Sequence, residues 1–462
     1  MIRINFDDVI PLLRPWIGAA RWYRGTQVTD ITCVASCALP TPANDTITFL
    51  HLLEVSGTLF CVPLTYSVNH EANSGLITVA DGHLESGETI SLAICDATEH
   101  RRGQDDLYQL LNGSFTSLYN PAIWVDNTGE ELDLRLTPAR NIHDLPAPAS
   151  SHKLTSEQSN TSIIYRFDPV VENQPVGLIC KLLRVVSPGH NPDVELQLAL
   201  DDAGSHHVPK QYGSVAAAWP GTDHADLFVA QEFLAGSVDA WQVFLTDLNT
   251  HGPVMSAEQG ERIVALGQIT REIHNELRSS FGTSKADQIG VVNTLMERAQ
   301  AAIAQVPELE TLQAQIRTIY DATLALAWPE TQRIHGDYHL GQVLDVPGRG
   351  WVALDFEGEP LRPLAQRTQP DMALRDVAGM IRSFDYAAGA AHKAGADAER
   401  CATWAQQATE KFLTGYGTLT ETEHTILTAL IIDKALYEVC YEAVSRPDWI
   451  DIPLAGVRKA LS

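Results

Sequence analysis

Short apolar and β-branched runs dominate the first third of the chain. Residues 47–55 and 59–64 are two such runs, and polar stretches such as residues 41–45 separate runs of this kind. This pattern predicts antiparallel strands joined by turns. We therefore expect an N-terminal, β-rich cap subdomain over residues 1–145, followed by a boundary in the Pro- and Ala-rich segment 145–151.

A second strand-rich stretch follows this segment. Residues 161–167 and 176–183 have the pattern of a β-hairpin, residues 191–200 that of a helix, and residues 227–234 that of a further strand. Together they predict a small, mainly β lobe over residues 146–236.

From about residue 237 the apolar positions recur every three to four residues, as in segments 263–277 and 312–326. This spacing is typical of amphipathic helices and predicts a helical C-lobe over residues 237–462. A β-dominated lobe followed by a helical lobe is the arrangement of kinase-like folds. The expected fold class is therefore α+β, a bilobal eukaryotic-protein-kinase-like fold with an N-terminal β-rich cap subdomain and a helical C-lobe.

The side-chain charges narrow the range of partners. The chain has 58 acidic and 32 basic side chains and a formal net charge of -26. Such a surface repels nucleic acid and anionic membranes, and no apolar run approaches the ~20 residues of a membrane span. The seven cysteines are scattered without a CxxC pair, which is typical of reduced thiols. We expect a cytoplasmic protein that binds neither nucleic acid nor membrane.

The spacing of three polar residues points to phosphoryl transfer. Gln342 follows Asp337 by five residues, and Asp355 follows Gln342 by thirteen. Protein kinases place a catalytic aspartate, a metal-binding amide and a metal-binding aspartate in this order. We expect Asp337 to orient the substrate hydroxyl, Gln342 and Asp355 to hold Mg²⁺, and ATP to donate the phosphate. His339 is expected to steady this loop or to contact a phosphate beside the substrate.

A lysine in an apolar strand and an acidic residue on the next helix predict part of the nucleotide site. Lys181 ends an apolar run, and Glu195 follows fourteen residues later, where it can hold the lysine over the phosphates. The alternative is a lysine that protects a strand edge. The other residues expected to bind ATP are Ser159, Asn160 and Thr161 in a glycine-free loop, and Gln231 and Phe233 in a strand placed like a kinase hinge.

Longer motifs resemble those of the actinobacterial maltokinases, which are aminoglycoside phosphotransferase-like kinases. The motifs lie at residues 157–162, 191–195, 335–344, 355–360, 374–386, 435–442 and 446–449. Arg21-Trp22-Tyr23 resembles an early signature of the family, but its usual G-K-x-R continuation is replaced by Arg24-Gly25-Thr26. The resemblance implies ATP-dependent phosphorylation of maltose at its anomeric hydroxyl, in a route from trehalose to α-glucan (glycogen). It also implies trehalose synthase as a partner, because some members associate with that enzyme.

One helix near the C-terminus carries the residues expected to bind the sugar. Lys434, Glu438, Glu442 and Arg446 recur every four residues and fall on one helix face. Carboxylates, a guanidinium and aromatic rings suit a polyhydroxyl ligand, whereas the alternative is a solvated face with i,i+4 ion pairs. The expected substrate residues are Glu438, Tyr441, Glu442, Arg446 and Trp449, together with His339.

Two other functions fit the same residues. The first is a kinase of an amino sugar or aminoglycoside, because an acidic substrate wall suits a cationic amine. The second is a degenerate kinase that serves as a scaffold for trehalose synthase. The presence of Asp337, Gln342 and Asp355 at all three catalytic positions argues against the scaffold.

Overall fold

The computed structural model describes nine segments of the chain. They are residues 1–39, 45–69, 74–111, 123–126, 134–140, 145–155, 160–168, 174–359 and 362–462. The chain forms two compact units, unit 1 with residues 1–194 and 210–233, and unit 2 with residues 195–209 and 234–462. The division into 1–145, 146–236 and 237–462 stays a prediction.

The first sheet of unit 1 has seven strands. They are β1 (Ile2–Asn5), β2 (Ile31–Ala38), β3 (Thr46–Val55), β4 (Thr58–Ser67), β5 (Leu76–Leu84), β6 (Thr89–Asp96) and β7 (Ile123–Asp126), in the order β2-β3-β4-β6-β5-β1-β7. The two apolar runs read from the sequence are β3 and β4, and their residues are almost all buried because both faces of these strands are covered. Helices α1 (Phe6–Ala19) and α2 (Arg101–Leu111) belong to the same unit.

The second sheet of unit 1 contains the predicted hairpin. Its strands are β8 (Arg135–Ala139), β9 (Ser150–Lys153), β10 (Thr161–Arg166), β11 (Gly177–Leu182), β12 (Gln211–Trp219) and β13 (Thr222–Glu232), in the order β8-β12-β13-β11-β10-β9. The hairpin is β10 and β11, which pair antiparallel with Ser162 opposite Lys181. Helix α3 (Pro192–Asp202) follows β11 along the chain, as the sequence predicts.

Unit 2 is mainly helical. It has one small sheet of β14 (Val238–Asp239), β15 (Val343–Val346) and β16 (Gly350–Ala353). Its helices are α4 (Ala240–His251), α5 (Ala257–Phe281), α6 (Gln288–Gln305), α7 (Gln313–Thr323), α8 (Leu364–Arg367), α9 (Leu374–Lys393), α10 (Ala398–Tyr416), α11 (Glu421–Ser445) and α12 (Asp451–Leu461). The structure is therefore α+β, as expected, and none of its described helices is long and apolar enough to cross a membrane.

Two helices hold the segment that carries Asp337. Most residues of α9 are buried, and Gly379 on this helix lies so close to the Tyr338 carbonyl that an added Cβ would come within 2.5 Å of the oxygen. Helix α11 begins with a capping box in which Thr420 and Glu423 bond each other's backbone N–H groups. The Asp337 segment is thus packed against α9, and the start of α11 is defined by its own capping residues.

Candidate active site

The backbone before Asp337 is fixed by a buried carboxylate on α9. The Asp376 carboxylate accepts hydrogen bonds from the backbone N–H of His335 (2.9 Å) and of Gly336 (2.8 Å), and His274 Nε2 lies 3.0 Å from it. Burial raises the pKa of Asp376. The hydrogen bond with His274 and the other neighbours outweigh this effect, so that the pKa lies below its ordinary value. Asp376 is therefore an ionised anchor for the loop.

Glycine is required immediately before Asp337. Gly336 has a φ of +84°, and a Cβ at this position would lie 3.1 Å from the Gly358 Cα. L-residues with a side chain rarely adopt this conformation, because their Cβ clashes with the backbone. Gly336 thus permits the turn that presents Asp337.

Asp337 forms an ion pair with a lysine of α11. Lys434 Nζ lies 3.1 Å from Asp337 Oδ1 and 2.7 Å from Glu359 Oε1. Arg362 Nε lies 2.6 Å from the second Glu359 oxygen. One lysine therefore bridges the candidate catalytic aspartate and a buried glutamate that is itself held by an arginine.

The charges in this cluster stabilise one another. Burial lowers the pKa of Lys434, but Asp337 and Glu359 outweigh that effect and raise it above its ordinary value. Burial raises the pKa of Glu359, but Lys434 and Arg362 outweigh that effect and lower it to about 2. Both Lys434 and Glu359 are therefore charged at neutral pH, and Lys434 remains a cation beside Asp337.

Gln342 and Asp355 are brought together, as the sequence spacing predicts. Gln342 Nε2 donates to Asp355 Oδ2 at 3.2 Å, and the Leu354 N–H donates to the Gln342 carbonyl at 2.9 Å. Asp355 has a φ of 62°, a strained conformation shared by only two other non-glycine residues of the described segments. Amide and carboxylate oxygens are hard donors that suit Mg²⁺, so this pair fits the metal that ATP requires.

His339 lies beside these residues with its ring turned towards its own loop. Its Nδ1 accepts a hydrogen bond from the Gly341 N–H at 3.1 Å. Burial lowers the pKa of His339 below its ordinary value, so the ring is neutral near pH 7. This contact supports the loop-steadying role of His339, and contact with a substrate stays a prediction.

The expected substrate residues form two groups along α11. Glu438, one turn after Lys434, accepts from Arg382 Nε at 2.9 Å, and Arg382 also pairs with Asp385 at 2.7 Å. Glu442 accepts from Tyr386 at 3.1 Å and from Arg446 at 2.6 Å.

The second group, which includes Glu442 and Arg446, lies further from Lys434 along the helix axis. At about 1.5 Å of rise per residue, Glu438 lies roughly 6 Å and Arg446 roughly 18 Å from Lys434 along the helix axis. Arg446 also stacks on Trp449, 4.9 Å from the ring centre, and lies 5.9 Å from the ring centre of Tyr441. Only Glu438 is therefore within one turn of the lysine that contacts Asp337.

The two residues expected to anchor ATP phosphates have other ion-pair partners than we predicted. Within unit 1, Lys181 Nζ lies 3.1 Å from Asp193 Oδ2, and Asp193 is almost fully buried. Within unit 2, Glu195 Oε2 lies 2.6 Å from Arg333. We expected Glu195 to hold Lys181, but the structure gives this role to Asp193, because the first turn of α3 presents that carboxylate to β11.

The remaining nucleotide residues lie in unit 1. Thr161 is buried and accepts from Arg184 Nε at 2.8 Å, and Gln231 is buried in β13 opposite Ile179. The Phe233 N–H donates to the Gly177 carbonyl at 3.0 Å, so this donor is already used within the sheet. Asn160 and Thr161 line a cavity of about 720 Å³ in this unit. Ser159 lies outside the described residues.

Sequence reasoning missed Lys434 and Glu359 as members of the site. Lys434 belongs to the row on α11 and Glu359 follows Asp355 by four residues, so both were visible in motifs. The contact of Lys434 with Asp337 was not visible, because the two residues are 97 positions apart in sequence. A lysine that interrupts a buried helix face was the available signal.

The chain is similar in sequence to proteins that are named as kinases. Over 326 residues the chain is 27% identical to a glucosamine kinase of Streptacidiphilus jiangxiensis, which covers 66% of this chain and 73% of the relative. Over 405 residues it is 26% identical to a glucosamine kinase of Mycolicibacterium smegmatis, which covers 82% of this chain and 90% of the relative. No protein-family model matches the chain.

Solved structures define the class of fold. The structure of a glucosamine kinase in complex with glucosamine, ADP and inorganic phosphate matches 97% of this chain and 99% of its own, with a TM-score of 0.67 and 18% identity. A second crystal form of a glucosamine kinase gives a TM-score of 0.69 at 18% identity. The chain therefore has the α+β, protein-kinase-like fold expected from its sequence. The relatives are named glucosamine kinases, and the narrower resemblance to maltokinases is not shown by these matches.

Proposed function

We propose that this protein is an ATP-dependent sugar kinase whose acceptor is an amino sugar of the glucosamine type. The observation that carries the proposal is the contact of Lys434 with Asp337, next to the hydrogen-bonded pair of Gln342 and Asp355. A carboxylate beside a cation and a pair of hard oxygen donors are the groups that phosphoryl transfer requires.

The roles of the residues follow from their positions. Asp337 orients the sugar hydroxyl and accepts its proton, and the contact with Lys434 keeps the Asp337 carboxylate in place. Gln342 and Asp355 would hold Mg²⁺, which neutralises phosphate charge when ATP is bound. Asp376 keeps the loop backbone fixed, so that Asp337 needs little reorganisation.

The similarity to two glucosamine kinases supports an amino sugar as the acceptor. Glu438 adds support, because it places a carboxylate about one helical turn from Lys434, and Asp385 places a second carboxylate against the same arginine, Arg382. Carboxylates of this kind can recognise an ammonium group. Both carboxylates also bind Arg382, so an amine would share them with that arginine.

Maltose is a second candidate. It is favoured by the length of the polar row on α11, which extends roughly 18 Å from Lys434 to Arg446 and is long enough for more than one hexose ring. Trehalose synthase as a partner remains an expectation from the maltokinase resemblance.

A substrate panel separates these acceptors. ADP release is measured with Mg²⁺-ATP and glucosamine, glucose, maltose or an aminoglycoside, using the wild type and Arg446→Ala. We expect turnover with glucosamine that Arg446→Ala leaves nearly unchanged, because Arg446 lies far from Lys434. Turnover with maltose alone would show that the acceptor is the disaccharide and not an amino sugar. In that case Arg446→Ala should raise the KM for maltose. No sugar-dependent turnover with any acceptor would contradict the proposal.

A further inference from the structure

Two histidines and an aspartate of unit 1 converge on one point. His224 Nε2 lies 3.0 Å from Asp226 Oδ1, and His190 Nδ1 lies 3.8 Å from Asp226 Oδ2. The two imidazole rings are 4.1 Å apart between centroids. One donor atom from each of the three residues lies within 4.8 Å of the other two.

This spacing matches the ligand shell of a small divalent transition metal. Imidazole nitrogen and carboxylate oxygen bind Zn²⁺ at about 2.0–2.2 Å, so that donors of a tetrahedral site lie about 3.3 Å apart. The distances of 3.0 and 3.8 Å lie on either side of this value. Because the donor atoms all lie within 4.8 Å of one another, rotation of the side chains would place all three around one ion.

The backbone holds these residues in register. The Gly189 N–H donates to the His224 carbonyl at 2.8 Å, which ties the residue before His190 to β13. The Asn191 N–H donates to Asp226 Oδ2 at 2.7 Å and so orients the carboxylate, as supporting hydrogen bonds do in metal sites.

Access to the site is also open. The Asp226 side chain is only 4% exposed, whereas the His190 side chain is 62% exposed. One anchored carboxylate with two accessible imidazoles leaves a fourth coordination position for water, which distinguishes this site from a closed structural zinc site.

We propose that His190, His224 and Asp226 form a binding site for one zinc-like divalent transition metal ion. Nitrogen ligands favour such ions over Mg²⁺, so the site is distinct from the Gln342–Asp355 pair. The ion clamps the segment before α3 to β13. This segment leads to Asp193, whose N–H donates to Asn191 Oδ1 at 2.8 Å and whose carboxylate pairs with Lys181.

Zinc titration of the metal-free protein tests this proposal. The full chain is stripped with a chelator, and Zn²⁺ alone is titrated in a calorimeter without nucleotide or sugar. Wild type is compared with His190→Ala and His224→Ala, and with His251→Ala as the matched control. His251 is also an exposed histidine beside an aspartate, 3.8 Å from Asp247, but it lacks a second histidine.

We expect one bound equivalent in wild type and His251→Ala, and at least about tenfold weaker binding in the two site variants, since loss of a supporting residue alone weakens metal sites by that factor. Zn²⁺ should also raise the Tm of wild type and His251→Ala only. Equal binding by wild type and both site variants would overturn the proposal, as would the absence of binding by wild type. Because no kinase substrate is present, this outcome is independent of the proposed activity.

Discussion

Asp337 is held by the residue before it and by groups from two distant parts of the chain. Gly336 gives the turn before it, Asp376 fixes the backbone of that turn, and Lys434 contacts its carboxylate. A carboxylate that is already oriented loses little entropy when substrate binds, which is how positioned groups lower a reaction barrier. The chemistry assigned to Asp337 therefore depends on the neighbours that position its carboxylate.

Asp337→Asn removes the proposed proton acceptor and keeps the side-chain shape. We expect kcat to fall by about 10²–10⁴-fold, the usual contribution of a general base, while ADP binding changes little. Steady-state kinetics and calorimetric titration with ADP provide the two measurements. A kcat within twofold of wild type would show that Asp337 does not accept the proton.

Glu359 makes stability depend on acid pH. Its pKa is lowered from the ordinary value of 4.5 to about 2 in the folded protein, so its contribution is fully present above pH 4.5 and is lost as pH falls towards 2. This shift corresponds to about 3 kcal/mol. Urea unfolding from pH 6 to pH 2.5 should show a shallower loss of stability in Glu359→Gln than in wild type. Parallel pH profiles would exclude the ion pair with Lys434 as a source of stability.

At the scale of elements, three helices meet at a buried arginine. Arg382 on α9 pairs with Glu438 on α11, and α12 approaches so closely that a Cβ at Gly456 would collide with the guanidinium. A buried ion pair that loses one partner leaves an uncompensated charge, which is costly. Gly456 therefore allows α12 to cover a pair that also supports the candidate substrate residues.

Gly456→Ala should displace Arg382 from its two carboxylates and lower the Tm. We expect a loss of about 1–3 kcal/mol, as for other overpacked buried sites. Ala455→Ser, at the exposed neighbouring position, is the control and should leave the Tm within error. A Tm of Gly456→Ala equal to that of the control would mean that the helices can separate without cost.

The fold and the centre of the site were predictable because their signals are local. Strands β3, β4, β10 and β11 follow from apolar runs, and the meeting of Gln342 with Asp355 follows from a fixed spacing around a short hairpin. These patterns involve residues that are close in sequence.

The partners of the charged residues were not predictable in the same way. Lys181 has carboxylates both twelve and fourteen residues later, and the spacing alone does not tell which of them pairs with it; in unit 1 the partner is Asp193. The contact of Lys434 with Asp337 depends on how α11 packs in unit 2, and this packing cannot be predicted from residue spacing along the chain.

At the scale of the whole molecule, the net charge of -26 opposes the compact state. The ion pairs around Lys434 and Arg382 are largely buried, so salt screens them less than it screens the surface. Added salt should therefore relieve repulsion between surface acids more than it weakens these pairs.

Raising NaCl from low to physiological concentration at pH 7 should increase the Tm, because the Debye length shortens to about 8 Å. The same series near pH 4.9, where the net charge is close to zero, is the control and should show little change. A Tm that falls with salt at pH 7 would mean that attractive surface pairs dominate.

We propose that the Asp337 site transfers phosphate from ATP to a sugar hydroxyl. Phosphorus NMR of a reaction with Mg²⁺-ATP and glucosamine tests it most directly. We predict a new phosphomonoester resonance coupled to a sugar proton, which grows with wild type and is nearly absent with Asp337→Asn. Formation of ADP and inorganic phosphate without a sugar phosphate, or equal transfer by both proteins, would contradict the account.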